Sequence, residues 1–209
     1  MIKIALLDPH PVVHKGFKAF FRKSERICVL NTFSRAKDLY PFLEKKSIDA
    51  LILEMELVED SAFEIIKTIK EKHSKTSIII YTALPQKIYG ISFLKAGASG
   101  YLSKKVSKKV LIEAIYKVVG NGYHITSNFA NDISNNLSLS KPKNLYRALS
   151  PRESEVFKML IEGKRNFEIS SSLNLNPKTI NTYKTRLMRK LDVENPIDLF
   201  QQAKNYNLV

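Results

Sequence analysis

The sequence predicts an α/β fold: a doubly wound five-stranded parallel sheet over residues 1–120, then a second, smaller all-α domain over residues 148–209. Two observations predict the sheet. Strand and helix signals alternate regularly through the first part of the chain. Apolar runs such as Ile78-Ile79-Ile80 are nearly continuous, as expected of strands covered on both faces. A third observation predicts the helical domain, because the stretch from Ser150 to Val209 carries three helix starts written in the same way.

The strands are expected at Ile2 to Leu7, Ile27 to Asn31, Ala50 to Glu54, Ser77 to Thr82 and Gly100 to Leu102. Between and after them, helical periodicity runs over His10 to Lys23, Arg35 to Lys45, Ala62 to Lys72, Gln86 to Ala96 and Ser107 to Val119. In open sheets of this kind, ligands bind beyond the carboxyl ends of the strands. The residues expected there are Asp8 after the first strand, Glu54 after the third, Thr82 after the fourth and Lys104 after the fifth, with Tyr101 inside the fifth.

Residues 121–147 read as a connecting helix and linker, and the stretch Asn131 to Asn144, rich in Asn, Ser and Lys with Pro142, has linker composition. Beyond it, Ser150-Pro151-Arg152-Glu153 is a capping box, in which the serine hydroxyl accepts from the first turn and the glutamate reaches back. Asn176-Pro177 and Asn195-Pro196-Ile197-Asp198 repeat the device. Between the first two starts lie the apolar stripe Val156, Phe157, Leu160 and Ile161, a stop at Gly163, a short helix pattern with Ile169 and Leu173, and the turn Asn174-Leu175-Asn176. From Pro177 the helix divides into two faces. Ile180, Leu187 and Leu191 form the buried stripe, and Lys178, Asn181, Thr182, Thr185, Arg186 and Arg189 collect on the other side. Amides, hydroxyls and cations of this kind contact base edges and phosphates in a major groove. A basic helix face alone also fits a solvated surface, but its place after a short helix and a tight turn favours recognition.

Composition supports a polyanionic partner. The chain has 34 Lys plus Arg against 20 Asp plus Glu, a net charge of +14, and cations that replace condensed counterions favour nucleic acid. The excess is spread, +9 in residues 1–120 and +5 in residues 121–209, so charge does not by itself locate the DNA site. Cys28 is the single cysteine, which excludes an intramolecular disulfide and a Cys-based zinc site, and its apolar surroundings suggest a core residue. Asp8, His10, His14 and Lys15 interrupt the early apolar run, and no eighteen apolar residues follow one another. A soluble, cytoplasmic protein without membrane contact is therefore expected. His10, His14, His73 and His124 form no metal-ligand set, and a surface or packing role is expected for them. Asp60 and Glu64 fall where a loop and a helix start favour acids, and Glu56 and Glu59 end no strand. No cofactor and no metal site are expected.

Pro151-Arg152-Glu153, Glu155-Val156, Glu162-Gly163, Glu168-Ile169, Lys178-Thr179-Ile180, Tyr183 and Lys190-Leu191 resemble the LuxR-type helix-turn-helix over about sixty residues. The resemblance implies that the helix from Pro177 to Leu191 enters the major groove of double-stranded DNA, with Asn181, Thr182 and Thr185 facing bases. Lys178, Lys184 and Arg189 are then phosphate contacts, Thr179 belongs to the same DNA-binding motif, and the helix beginning at Pro196 serves dimerisation. Asn181 and Thr185 depart from the commoner pattern, which has a long cation there, so the operator does not follow.

Asp8-Pro9-His10-Pro11, Ala96-Gly97-Ala98-Ser99-Gly100-Tyr101 and the polar strand ends resemble the receiver domain of bacterial response regulators. A receiver with a LuxR-type tail is the architecture of a NarL/FixJ-type response regulator. The resemblance implies phosphorylation of an aspartate at the end of the third strand and magnesium held by an acidic pair at the end of the first. This chain has Glu54 at the former, and Pro9 beside Asp8 at the latter. The expected reading is an atypical receiver with a degenerate phosphoacceptor pocket, in which Glu54 holds Lys104 and Thr82 in an active-like arrangement and Tyr101 turns inward. A purely structural Glu54–Lys104 ion pair is the other reading of the same residues. The expected function is a homodimeric DNA-binding transcription regulator, not an enzyme, that works without phosphorylation. A conventional two-component regulator with residual phosphorylation remains open, as does an adaptor whose receiver binds a regulatory protein or ligand.

Overall fold

The structure is a computed structural model that describes residues 1–58, 60–126, 129–130, 145–205 and 208. The expected linker at 131–144 and Glu59 lie outside the described residues. The chain divides into two compact units, one holding the sheet (Met1–Gln86 and Phe93–Thr126) and one holding the C-terminal helices together with Lys87–Ser92.

In the first unit, β1 (Ile2–Leu7), β2 (Ile27–Phe33), β3 (Ala50–Leu53), β4 (Ser77–Thr82) and β5 (Gly100–Ser103) form a parallel sheet in the order β2-β1-β3-β4-β5. They alternate with α1 (Pro11–Phe21), α2 (Ala36–Lys45), α3 (Ala62–Lys72), α4 (Gln86–Ala96) and α5 (Lys108–Asn121). Ile4, Leu6, Ile52 and Ile79 pack with Phe17 and Phe21 of α1 and with Leu111, Ala114, Ile115 and Val118 of α5. The alternate residues Ala5, Leu7, Leu51, Leu53, Ile78 and Ile80 face the other way and are equally buried, beneath helices that bury Leu39, Leu43, Ile66 and Ile69. Both sheet faces are dry, which is why these strands read as runs rather than as alternations. The order reverses between β1 and β3, and the crevice at their carboxyl ends is where such sheets place a site.

Several boundaries differ from the sequence expectation. β2 runs on to Phe33, because Ala5, Leu6 and Leu7 continue to pair with Asn31, Thr32 and Phe33 past a register shift between Ile4 and Ala5. β3 stops at Leu53, so Glu54 follows the strand instead of ending it. α5 extends to Asn121 before Gly122, at φ 84°, takes the left-handed turn that glycine allows at a helix end. Cys28 is only half-buried, since β2 is an edge strand.

In the second unit, a 3-10 turn at Leu145–Ala148 precedes α6 (Pro151–Ile161), α7 (Asn166–Leu173), α8 (Pro177–Leu191) and α9 (Pro196–Asn205). All three expected starts carry their caps. The Ser150 hydroxyl accepts from the Glu153 N–H at 3.3 Å while the Glu153 carboxylate accepts from the Ser150 N–H at 2.6 Å. Asn176 Oδ1 accepts from the Lys178 N–H at 2.9 Å, and Asn195 Oδ1 accepts from the Ile197 N–H at 2.9 Å. α7 begins without such a residue: Glu168 alone reaches back to the Arg165 N–H at 2.7 Å. Ile169 and Leu173 of α7 and Ile180, Leu187 and Leu191 of α8 close one core with Val156 and Phe157. Asn174, at φ 51°, and the Leu175 N–H bonded to the Ser170 carbonyl at 2.9 Å make the turn between the two helices. No helix among the described residues is long and apolar enough to cross a membrane.

Glu153 has a second role. Its Oε2 also receives the Lys190 ammonium at 2.6 Å, which ties the start of α6 to the end of α8. Burial alone would raise the Glu153 pKa, but Lys190 and the two bonds from Ser150 outweigh it and hold the carboxyl below its ordinary range. A carboxyl depressed by folding contributes stability above its unfolded value near 4.5, and that stability is lost as the pH falls through the folded value. We expect the second unit to lose stability as the pH drops below about 4.5. Glu153→Ala should cost roughly 1–3 kcal/mol at neutral pH by removing a cap and a buried partner, and should blunt the acid dependence, as read by urea unfolding across pH.

Candidate functional site

The first site is assembled by continuing the sheet ladder one residue past each strand. The Asp8 N–H donates to the Phe33 carbonyl at 3.0 Å, the Glu54 N–H to the Leu7 carbonyl at 2.9 Å and the Lys104 N–H to the Thr82 carbonyl at 2.8 Å. Strict backbone register thus brings Asp8, Glu54 and Lys104 to one crevice. Asp8 and Glu54 are buried, while the Lys104 side chain is 21% exposed. The Lys104 ammonium lies 2.6 Å from Asp8 Oδ2 and also pairs with Glu54 Oε2.

The other two carboxylate oxygens are occupied as well. Asp8 Oδ1 accepts from the His10 N–H at 2.8 Å and lies 2.9 Å from His10 Nδ1. Glu54 Oε1 accepts from the Met55 N–H at 2.6 Å and the Glu56 N–H at 3.0 Å. Burial opposes the charge on Lys104, but hydrogen bonds and charge from Asp8 and Glu54 prevail and hold its pKa above the ordinary 10.5. A lysine raised in this way contributes stability that is fully present below the unfolded value and is lost only as the pH rises beyond it. Lys104 is therefore a fixed cation across the neutral range.

The remaining predicted residues of the pocket sit beside this cluster. The Thr82 hydroxyl accepts from the Leu84 N–H at 3.4 Å, so the expected grip of Glu54 falls on Lys104 and on the backbone that follows Glu54. Tyr101 is buried, its hydroxyl donates to the Leu84 carbonyl at 3.1 Å, and its ring lies 6.1 Å from that of Phe93. Two residues given only a surface or packing role by the sequence meet here: His10, as described, and His14, whose Nε2 is 2.6 Å from the Asp8 carbonyl. Their spacing places them one helical turn apart, yet nothing in the sequence says that the turn at Pro9 folds both back onto Asp8. Asp60 accepts from the Ala36 N–H at 3.0 Å, and Ser61 caps α3 through the Glu64 N–H at 3.3 Å, away from the cluster.

The second site is the outer face of α8. Lys178, Asn181, Thr182, Thr185, Arg186 and Arg189 are all exposed, opposite the buried Ile180, Leu187 and Leu191. Asn181, Thr182, Thr185, Arg186 and Arg189 line one open concavity. Thr179 and Lys184 are half-buried on the flanks of this face. The Asn166 amide of α7 donates to Asn181 Oδ1 at 2.5 Å, and the Thr182 hydroxyl donates to the Lys178 carbonyl at 3.1 Å.

Comparison with known families bears on both sites. Residues 4–116, more than half of the chain, match the response regulator receiver domain. The chain belongs to the response regulator family. Residues 147–203 match the bacterial regulatory proteins of the luxR family, so this response regulator joins a receiver to a LuxR-type helix-turn-helix in the NarL/FixJ arrangement of a transcription regulator. Response regulator UvrY of Escherichia coli K12 is 27% identical over 209 residues, spanning 100% of this chain and 96% of UvrY. Fimbriae Z protein of Salmonella typhimurium LT2 is 26% identical over 206 residues, spanning 99% of this chain and 98% of that protein. Among solved structures, RcsB from Salmonella enterica serovar Typhimurium, bound to promoter rprA in the presence of the phosphomimetic BeF3−, superposes with a TM-score of 0.78 at 27% identity, covering 96% of each chain. Another Salmonella typhimurium RcsB structure gives 0.80 at 26% identity, covering 98% of this chain and 97% of RcsB.

The ion cluster makes a direct demand on stability. Lys104→Met leaves two buried carboxylates facing each other and is expected to cost about 3–5 kcal/mol. Adding Glu54→Leu to Lys104→Met should recover part of that loss, because the uncompensated charge goes with it. Urea unfolding of the full chain compares the two variants.

Proposed function

We propose that this response regulator is a sequence-specific DNA-binding transcription regulator that acts as a homodimer and without phosphoryl transfer. The observation that carries the reading is the Lys104 ammonium held between Asp8 and Glu54. Magnesium requires close to octahedral coordination by oxygens at short range. Here the two carboxylates give all four of their oxygens to Lys104, His10, Met55 and Glu56, and Pro9 supplies no third carboxylate. This donor set does not fit the ion, and a bound lysine already fills the place of the cation.

Glu54 follows β3, where the family resemblance puts the phosphoacceptor aspartate. Its longer side chain reaches Lys104 directly, and Tyr101 is already buried, as the active-like arrangement requires. In this reading the ion pair stands in for the signal. An anionic phosphodonor approaching the carboxylates would meet no added cation to offset its charge, which removes a main source of stabilisation for transfer.

For the DNA-binding role, the amide and hydroxyl face of α8 is the base-reading surface, with Asn181, Thr182 and Thr185 towards bases and Lys178, Lys184 and Arg189 towards phosphates. Homodimerisation through α9 is supported by two exposed apolar side chains on one face, Ile197 at 69% and Phe200 at 44%. RcsB, which is similar in structure, has been solved as two dimers bound to two parallel DNAs, in keeping with a dimeric DNA-binding role. The domain limits that go with this function are 1–120 for the receiver, 121–147 for the connection and 148–209 for the DNA-binding domain. A cytoplasmic setting goes with this reading.

Two measurements test the proposal. Incubated with acetyl phosphate and magnesium, the protein should keep its unmodified intact mass, and a stoichiometric phosphoryl adduct on a receiver residue contradicts the reading. Lys178→Ala and Arg189→Ala should weaken binding to operator and random DNA alike, each making the salt dependence shallower by about one unit of log–log slope. Electrophoretic shift titrations at several salt concentrations read both quantities.

A further inference from the structure

We infer that Asn166, which lies on α7 and outside the reading helix, sets which kind of base edge Asn181 recognises. The inference rests on the proposal that Asn181 faces bases, and it goes further by naming the chemical class of edge that is read. A side-chain amide carries one acceptor oxygen and one donor NH2, and rotation by half a turn exchanges them. An exposed asparagine that can flip reads donors and acceptors alike. Asn181 is exposed, but its orientation is coupled to that of Asn166, whose amide donates to its Oδ1 at 2.5 Å.

The two residues are fifteen positions apart, and their approach is fixed by the packing of α7 on α8. Ile169, Leu173 and Ile180 are buried, and the turn between the helices is closed by Asn174 in the left-handed conformation and by the bond from the Leu175 N–H to the Ser170 carbonyl. With Oδ1 committed to Asn166, the half of Asn181 left for DNA is the Nδ2 donor. At the exocyclic position of the major groove, guanine O6 and thymine O4 are acceptors where cytosine N4 and adenine N6 are donors, while both purines add an N7 acceptor. Directed at the exocyclic position, Asn181 selects the acceptor edge. The next residue complements it, because the Thr182 hydroxyl donates its hydrogen to the Lys178 carbonyl at 3.1 Å and keeps its two lone pairs as acceptors.

Asn166 is a positioning residue in this account, so its replacements should change preference rather than merely strength. Asn166→Ala releases the amide and should lower the discrimination at the base pair that Asn181 reads by roughly fivefold, the lower end of what one good base contact supplies. Asn166→Asp replaces the donor with an acceptor. It keeps the helix start, since an acid in the first turn is favourable there. The carboxylate takes the Asn181 NH2, which turns Oδ1 outward, and the preferred pair should become the inverted one, G·C to C·G or T·A to A·T. The added negative charge weakens all sites together, so the readout is the ratio of affinities within a panel of single-pair operator variants.

Full-length wild type, Asn181→Ala, Asn166→Ala and Asn166→Asp are titrated against that panel by fluorescence anisotropy. The expected result is one base pair whose discrimination is flattened by Asn181→Ala, weakened by Asn166→Ala and reversed by Asn166→Asp. If Asn181→Ala flattens that pair while Asn166→Asp keeps the wild-type preference, the role of Asn166 is overturned and the assignment of Asn181 as a reader stands. If Asn181→Ala leaves every preference intact, that assignment fails, and the inference goes with it.

Discussion

Two carboxylates buried at the carboxyl edge of one sheet repel each other and lose their hydration, so the receiver unit is stabilised by a cation brought to Asp8 and Glu54. Lys104 is that cation. It arrives because β5 pairs with β4 in register and its next residue hands a backbone N–H to the Thr82 carbonyl. The position of Lys104 is thus a property of the sheet and not of a flexible loop. His10 at one oxygen of Asp8 and the Met55 and Glu56 amides at one oxygen of Glu54 complete the coordination. Each carboxylate oxygen of the cluster thus has a polar neighbour within the chain, and the single positive charge of Lys104 offsets one of the two carboxylate charges.

The second unit follows a different logic, because its work is done by an exposed surface. What the fold supplies there is rigidity. Caps at α6, α8 and α9 satisfy backbone donors that would otherwise fray, and the Glu153–Lys190 ion pair joins the first and third helices across 37 residues. The turn between α7 and α8 holds the short helix against the long one closely enough for Asn166 to reach Asn181. The exposed face of α8 is thereby held on a rigid support, which the proposed base-reading role requires.

Much of this arrangement is visible in the sequence, and the reasons differ from residue to residue. The carboxyl ends of the strands can be located because buried apolar runs stop abruptly at Asp8, Glu54 and Thr82, and parallel topology then requires these residues to meet. The three cap motifs are local, so their bonds follow from a few neighbouring residues. The two faces of α8 follow from period alone. Other features depend on distance in space. Nothing local indicates that Glu153 serves Lys190 as well as Ser150, or that Asn166 bonds Asn181. The extension of β2 to Phe33 is also invisible, because it depends on a register shift against β1 rather than on the composition of the strand.

The central claim is that the Lys104 ammonium occupies the place of a metal ion between Asp8 and Glu54. Magnesium titration of the isotope-labelled full chain, followed through its backbone amide resonances, tests it most directly. The account predicts that the amides of Asp8, Met55, Glu56 and Lys104 stay unmoved at millimolar magnesium, apart from the small uniform drift that ionic strength produces. Saturable shifts confined to these amides, fitting a single site, would mean that the ion displaces Lys104 and would contradict it.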